Sequence, residues 1–580
     1  MYFHDCLNDI NIFLAFNFQG FREKMKYKKT IILLALVVFL LSIAGVSASE
    51  IGDTIASEDT GEIELSHEME SADNNLGTSE EQTVTQTDNE EKTGETDDGT
   101  FASLNQKIQN AGNGSEITLE NDYKYEGTGY PNGISITKRL TIDGKGHTID
   151  AKGQARIFNI SQADNVTIKN ITFINAKATY NGGAIHCWHS YNISVYGCTF
   201  INNTAGGYSG GAIYCDRENL TISECSFVNN SANAGGAILC YDSVISNCSF
   251  VNNSANTSGG AIYSRHDSVI SNCSFMNNSA RGNGGAIILL SGTISNCSFV
   301  KNSAGENAGA AALDGFVIIS DCSFANNSAV ETAGALRFAV AIGTTVSGCD
   351  FVNNSANTGG AIYWLEYSKE NNLYDCNFVN NSAIEDGGAI VYCNGEHNVI
   401  SGCTFTNNTA DYSGGAIYVS AGSDNCKVYN STFEDNYISN AIDGRGGAID
   451  WVGNNGGVEN TTFTRCISVN AGGIYVGEES HNMYIQNVSF TSCESLTNGG
   501  AIVIAGDNVK IVNSNFTSSV ARDNGGAIAG LSSDNGNITD CIFKYNVVGG
   551  HIDPQGNIYG EGGAIYWENS KNLTMYNNAF

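Results

Sequence analysis

Residues 235–256 read GGAILCYDSVISNCSFVNNSAN and residues 259–281 read GGAIYSRHDSVISNCSFMNNSAR, nearly one clause written twice. The clause sets a register that runs along most of the chain. Phe recurs at positions 173, 200, 227, 250, 275, 299, 324, 351, 378, 405, 433, 463, 490, 516, 543 and 580, at intervals of 23 to 30 residues except for a last interval of 37. A chain of 580 residues with one such period reads as a solenoid rather than as several ordinary domains.

The spacing inside the clause gives the geometry. Cys248 and Phe250 are two apart and share one face of a strand. Ile245 and Cys248 are three apart, so a bend at Ser246-Asn247 is needed if Ile245, Cys248 and Phe250 all point inward. GGAI supplies a third apolar segment ending in Ile238, with Cys240 on the same face. Each repeat therefore offers three short strands that cannot pair with one another but can stack on the same strands of the next repeat, at about 4.8 Å. The expected fold is all-β: a right-handed, single-stranded parallel β-helix of about 16 coils, roughly 75 to 80 Å long at that spacing. Its core ladders are Phe200, Phe227, Phe250 and Phe275, and Cys198, Cys225, Cys248, Cys273, Cys297, Cys322, Cys349, Cys376 and Cys403, with Cys541 in the same register. Asn after Phe suits a left-handed corner and can build stacked amides, while paired glycines suit a sharp entry to the next strand. The 67 Gly and only 2 Pro agree with many tight turns between paired strands.

The N-terminal part has a different character. From Met25 the chain reads MKYKKTIILLALVVFLLSIAGVSAS, a basic start, an apolar run and a small-residue cleavage site at Val46-Ser47-Ala48, which predicts a signal peptide over 25–48. Residues 1–24 then read as an extension upstream of the true start. Residues 49–99 are rich in acids and hold one lysine, Lys92, as expected of a disordered, self-repelling spacer. Residues 100–134 form the N-terminal cap, with Phe101, Leu104 and Ile108 at helical spacing, and residues 135–580 form the repeat domain. The sequence stops at Phe580 in mid-coil, which predicts a truncated repeat domain with its anchoring region missing. The formal charge is −32, and removal of 1–48 leaves 23 basic against 57 acidic residues, which argues against nucleic acid and anionic membranes as partners.

The motif pair GGAI and Phe-x-x-Asn resembles the repeat of chlamydial polymorphic outer-membrane proteins and of adhesin-like surface proteins of methanogenic archaea. GGAI occurs 12 times, as at Gly182, Gly210, Gly235 and Gly562, and Phe-x-x-Asn 11 times, as in Phe200 with Asn203. Two units depart from the pattern, AGAA at Ala308 and AGAL at Ala333, and Phe463, Phe490 and Phe516 lack the following Asn. The resemblance implies a pectin-lyase-like solenoid in a secreted, surface-displayed, non-enzymatic adhesin of the cell envelope. Its expected partners are glycans or proteins on host or neighbouring cells.

Candidate chemistry follows from the coil geometry. The residue after GGAI should face solvent: Tyr214, Tyr263, Tyr363, Tyr418 and Tyr566, with Tyr475 after the variant AGGI. An intermittent tyrosine stripe could stack on sugar rings or anchor a protein, although strand propensity alone also favours Tyr. Inserts such as Trp364-Leu365-Glu366-Tyr367 would add specificity. The cysteines are expected to be buried thiols, because parallel side-chain vectors suit a disulfide poorly. Neither a CxxC pair nor a His cluster at ligand spacing occurs, so no cofactor and no metal is expected. The rival readings are a polysaccharide lyase or hydrolase and a purely structural envelope protein. Asp143, His147 and Asp150 resemble the first coil of β-helix enzymes, but they form no coherent acid pair in the sequence, and His147 reads as a turn residue. Asn-x-Ser sites such as Asn229, Asn252 and Asn277 are chemically open to glycosylation on a secreted chain.

Overall fold

Four short strands make a typical coil of the computed structural model, which describes residues 97–580 apart from 218, 441 and 553–557, and the first two fuse into one strand at Ile262–Ser271 and Ile287–Ser295. The extension, the signal segment and the spacer up to residue 96 lie outside the described residues. One coil runs through Ile238–Cys240, Ser243–Ser246, Ser249–Val251 and Ser254–Ala255. The first two strands belong to one sheet, the third to a second, and the fourth to a 15-stranded third sheet. The sequence reading had three strands per coil and missed Ser254–Ala255, because two residues carry no readable periodicity. Successive coils pair in parallel and in register, Phe227 on Phe250 and Phe250 on Phe275. The result is an all-β right-handed parallel solenoid of about 16 turns. An antiparallel pair, His551–Ile552 with Ile558–Tyr559, interrupts the stack in the long interval before Phe580.

The bends fall where side chains tolerate a left-handed backbone. Asn247 has φ 53° and Asn252 φ 56°, and the same two positions are left-handed in coil after coil. The bend expected at Ser246-Asn247 is therefore made by Asn247. The two Asn of each Phe-x-Asn-Asn have different jobs. Asn252 turns the corner and is exposed, like Asn229 and Asn277, whereas Asn253 is fully buried. The Asn253 amide donates at 3.0 Å to both the Asn278 side-chain oxygen and the Phe227 carbonyl, and its own oxygen accepts from the Asn230 amide. Every polar atom of the ladder is thus satisfied in the core. Where Phe463 and Phe490 lack a preceding-ladder Asn, Cys466 and Cys493 stand in its place and donate to the Phe433 and Phe463 carbonyls.

The cysteine column also does more than fill space. Cys248 Sγ accepts from the Cys225 N–H at 3.4 Å, and its thiol donates to the Ser246 carbonyl at 3.1 Å. The left-handed residue ahead of each Cys aims that N–H at the next coil, so the column needs an acceptor, and Ser431 supplies one to Cys403 at 3.3 Å. All cysteines among the described residues are free, and all but the half-buried Cys393 are buried. Phenylalanine rings stack from Phe173 to Phe580 with centroids about one strand spacing apart, 4.8 Å for Phe227 and Phe250.

The N-terminal end is closed by helix α1, Phe101–Asn110, capped by Thr100 in a reciprocal pair with Ser103. Phe101, Leu104 and Ile108 are its buried residues. Nearby, Asp143 is buried and held by Lys145 at 3.1 Å, Lys169 at 3.5 Å and the Asn170 amide at 3.0 Å. Burial opposes its charge, but these partners outweigh burial and hold the carboxyl well below the usual range. His147 meets Asp122 at 3.1 Å, and Asp150 accepts from the Lys152 N–H and the Asn175 amide. These residues work as turn and coil clasps.

Candidate functional site

The strand after each glycine pair carries an outward column two residues beyond the buried alanine. Along it the register runs Asn159, His186, Tyr214, Leu239, Tyr263, Ile288, Ala312, Arg337, Tyr363, Val391, Tyr418, Asp450, Tyr475, Val503, Ala529 and Tyr566. The six tyrosines of the sequence reading do share one column, and no two of them are adjacent. Tyr214, Tyr263, Tyr363, Tyr418 and Tyr566 are half-buried. Burial pushes the Tyr418 hydroxyl up to about 12. Tyr475 corrects the expectation of a solvent-facing ring. It is 9% exposed, packed with Ala471, Val503 and Ala529 and covered by the Arg445 guanidinium 5.1 Å from its centroid. Trp364 is a second correction. It turns inward and stacks between Phe338 and Tyr392, leaving Tyr367 as the exposed aromatic of that insert.

The column is uneven in chemistry, and two stretches stand out. In the first, His186 stacks on Tyr214 at 5.5 Å and on Trp188 at 6.3 Å, and Trp188 meets His189 edge-on at 4.6 Å. Arg265 lies 5.5 Å from the Tyr263 ring centroid and 5.8 Å from that of Tyr241. Burial pulls the His186 imidazole down to about 4, with Arg156 adding to the effect, so the ring is neutral at neutral pH. In the second stretch, Asp450 takes the outward position between Tyr418 and Tyr475. It is 1% exposed, and its Oδ1 has no hydrogen-bond partner. Burial drives its carboxyl up to about 7 against the opposing pull of Ser413 and Arg445, with Asp386 adding to the rise. Asp386, Ser413 and Arg445 are successive residues of the column just before the glycines. This grouping of two acids with an arginine could not be read from the sequence, because Asp386 lies two coils away from Arg445 and Asp450.

A separate open groove of about 910 Å³ follows the corner of the cysteine column, lined by Asn247, Asn272 and Asn296 and by Ser249, Ser274 and Ser298. Its walls offer amides and hydroxyls. Among the described residues, no group of three or more His, Cys, Asp or Glu is arranged to hold a metal ion.

This architecture defines a right-handed β-helix, and the model of the right-handed β-helix region matches residues 260–433. The model of the Chlamydia polymorphic membrane protein repeat matches residues 197–216, 224–241 and 247–265. No curated protein matches it in sequence. Among solved structures, the PL6 family alginate lyase AlyGC is 10% identical, with 83% of this chain and 99% of that one covered and a TM-score of 0.29. A tailspike protein mutant of E. coli bacteriophage HK620, in complex with pentasaccharide, is 13% identical, with 82% and 76% covered and a TM-score of 0.27. At these scores neither likeness bears on any residue or activity of this chain.

Proposed function

We infer that the protein is a non-enzymatic, adhesin-like surface protein whose β-helix meets glycans or proteins of other cells along its outward column. The observation that carries this reading is one of place. The matched membrane-protein repeats, residues 197–265, are the coils whose outward faces gather Tyr214, Tyr241, Tyr263 and Arg265 beside the exposed Trp188. Secretion through residues 25–48 and projection by the acidic segment 49–99 belong to the same proposal. The test is binding of the full chain to intact cells and to a glycan panel, followed by sizing of every polymer offered. Binding with all polymers uncut supports the reading, and shortened polymer overturns it.

A second reading, polysaccharide cleavage, is favoured by Asp450, a carboxyl that keeps its proton near neutral pH beside Asp386 and Arg445. Its burial beneath Tyr475 and Arg445 weighs against contact with a substrate. Under this reading polymer shortening would disappear in Asp450→Asn.

A further inference from the structure

The coils from His186 to Arg265 present two adjacent outward columns. The first is His186, Tyr214, Leu239 and Tyr263. The second lies two residues further along each strand: Trp188, Asp216, Tyr241 and Arg265 follow directly on Cys187, Cys215, Cys240 and Ser264, which are themselves in register or on its continuation. The second column alternates aromatic, carboxylate, aromatic, guanidinium at one residue per coil. Trp188 is exceptional in this chain. Trp364 and Trp451 are fully buried and Trp567 is packed against the core, whereas Trp188 is 46% exposed. Its indole is steadied by His186, nearly parallel to it at 6.3 Å, and by His189, edge-on at 4.6 Å. Tyr180 and Tyr208, 5.2 Å apart, add exposed rings in the same coils.

The polar groups between the rings are set in place. Asp216 accepts from the His189 N–H at 2.8 Å, which fixes the carboxylate beside the indole. Arg217 reaches His189 Nδ1 at 2.9 Å, while its buried Nε has no hydrogen-bond partner. The Arg265 guanidinium lies over both the Tyr241 and the Tyr263 rings, which holds it at the face.

We propose that this face, from Trp188 to Arg265, is a binding platform for a linear glycan lying along the stack of coils. A sugar ring has an apolar C–H face and a rim of hydroxyls. The rings of Trp188 and Tyr241 match the faces, and Asp216, Arg217 and Arg265 match the hydroxyls with an acceptor and two donors. Both a hydrogen-bond acceptor and donors lie among the rings, as suits hydroxyls, which donate and accept, and the coil rise of about 4.8 Å is close to the length of one sugar unit. The centre of a protein interface is depleted of carboxylates, and here Asp216 sits in the middle of the aromatic column. The proposal rests on the adhesin reading and narrows it to one ligand class and one set of coils.

The test is titration of the full chain with a neutral β-glucan oligosaccharide and with a polygalacturonate oligosaccharide, read by calorimetry and by tryptophan fluorescence. At least one oligosaccharide is expected to bind and to shift the emission of the exposed indole. Trp188→Ala and Arg265→Gln should each weaken binding tenfold or more, Trp188→Phe should restore most of it, and Tyr412→Ser, at an exposed ring of a distant coil outside both columns, should leave it unchanged. Unaltered circular dichroism and melting of the variants would exclude misfolding. Binding that stays within twofold in both variants overturns the platform and leaves the adhesin reading standing. So does binding to intact cells with no oligosaccharide bound. Failure to bind either cells or glycans overturns both.

Discussion

Asp450 is the residue at which the fold is least comfortable, and its cost depends on pH. Its carboxyl titrates at about 7 in the folded chain against an ordinary value of 3.8, because burial disfavours the charge. Below about pH 4 both states are protonated and its contribution to stability is complete. Between about pH 4 and 7 the unfolded chain ionises while the folded chain keeps its proton, so stability falls, by about 4 kcal/mol in all for a group so buried. His186 works in the other direction. Its imidazole is lowered from 6.5 to about 4, so its contribution is complete above about pH 6.5 and is lost as pH falls toward 4. Asp450→Asn should therefore stabilise the chain increasingly from pH 5 to pH 8, and His186→Asn should relieve the acid side instead. Urea midpoints at the two pH values decide this, and an Asp450→Asn effect that is the same at both would show that the buried carboxyl is not the source.

At the scale of the element, the glycine pair is a contact between coils as much as a turn. The first glycine is left-handed, as at Gly259 with φ 67°. The second has no room: a Cβ on Gly260 would lie 2.0 Å from the Gly285 carbonyl oxygen and 2.6 Å from that of Ser279. The equivalent Gly563 has nothing within 4 Å of such a Cβ. Gly260→Ala should thus cost at least about 2 kcal/mol by forcing coils apart, whereas Gly563→Ala should stay within about 0.5 kcal/mol. Thermal melting of the two variants checks this, and equal effects would mean that the glycine is needed for its turn and not for the stacking. The motif announces a special backbone at each pair. The identity of the atom opposite it, a carbonyl of the next coil, becomes visible only when the coils are stacked.

The whole molecule is coupled through ladders that run coil to coil, so its stability is a sum of nearest-neighbour terms. Its thiols report that coupling. Burial pushes the Cys240 thiol up to about 11 and Cys215 well above its usual range, so these two are both hidden and protonated, and the cysteine column is buried as well. Alkylation followed peptide by peptide should label Cys393 in the native chain and leave Cys248, Cys273, Cys297 and Cys322 untouched. As denaturant rises, those four should gain label together. Labelling that proceeds coil by coil from one end would show that the ladders transmit little.

The sequence by itself determined the repeat, the inward Phe and Cys columns, the bend before each Cys, the helical cap and the outward column that holds the tyrosines. All of these follow from spacing within one coil, where side-chain direction is fixed by the strand and by a left-handed Asn. Only the tertiary structure decided what each outward residue meets. Tyr475 is covered because Arg445 lies one turn away across the glycines, Asp450 holds its proton because stacking buries it and brings Asp386 near against the pull of Ser413 and Arg445, and Trp188 is propped by histidines that a linear reading places merely nearby. Neighbours along the stack are about 25 residues apart in the chain, and their identities vary independently of the motif that brings them together. The period therefore fixes the fold, and the chemistry of the surface waits on the stacking.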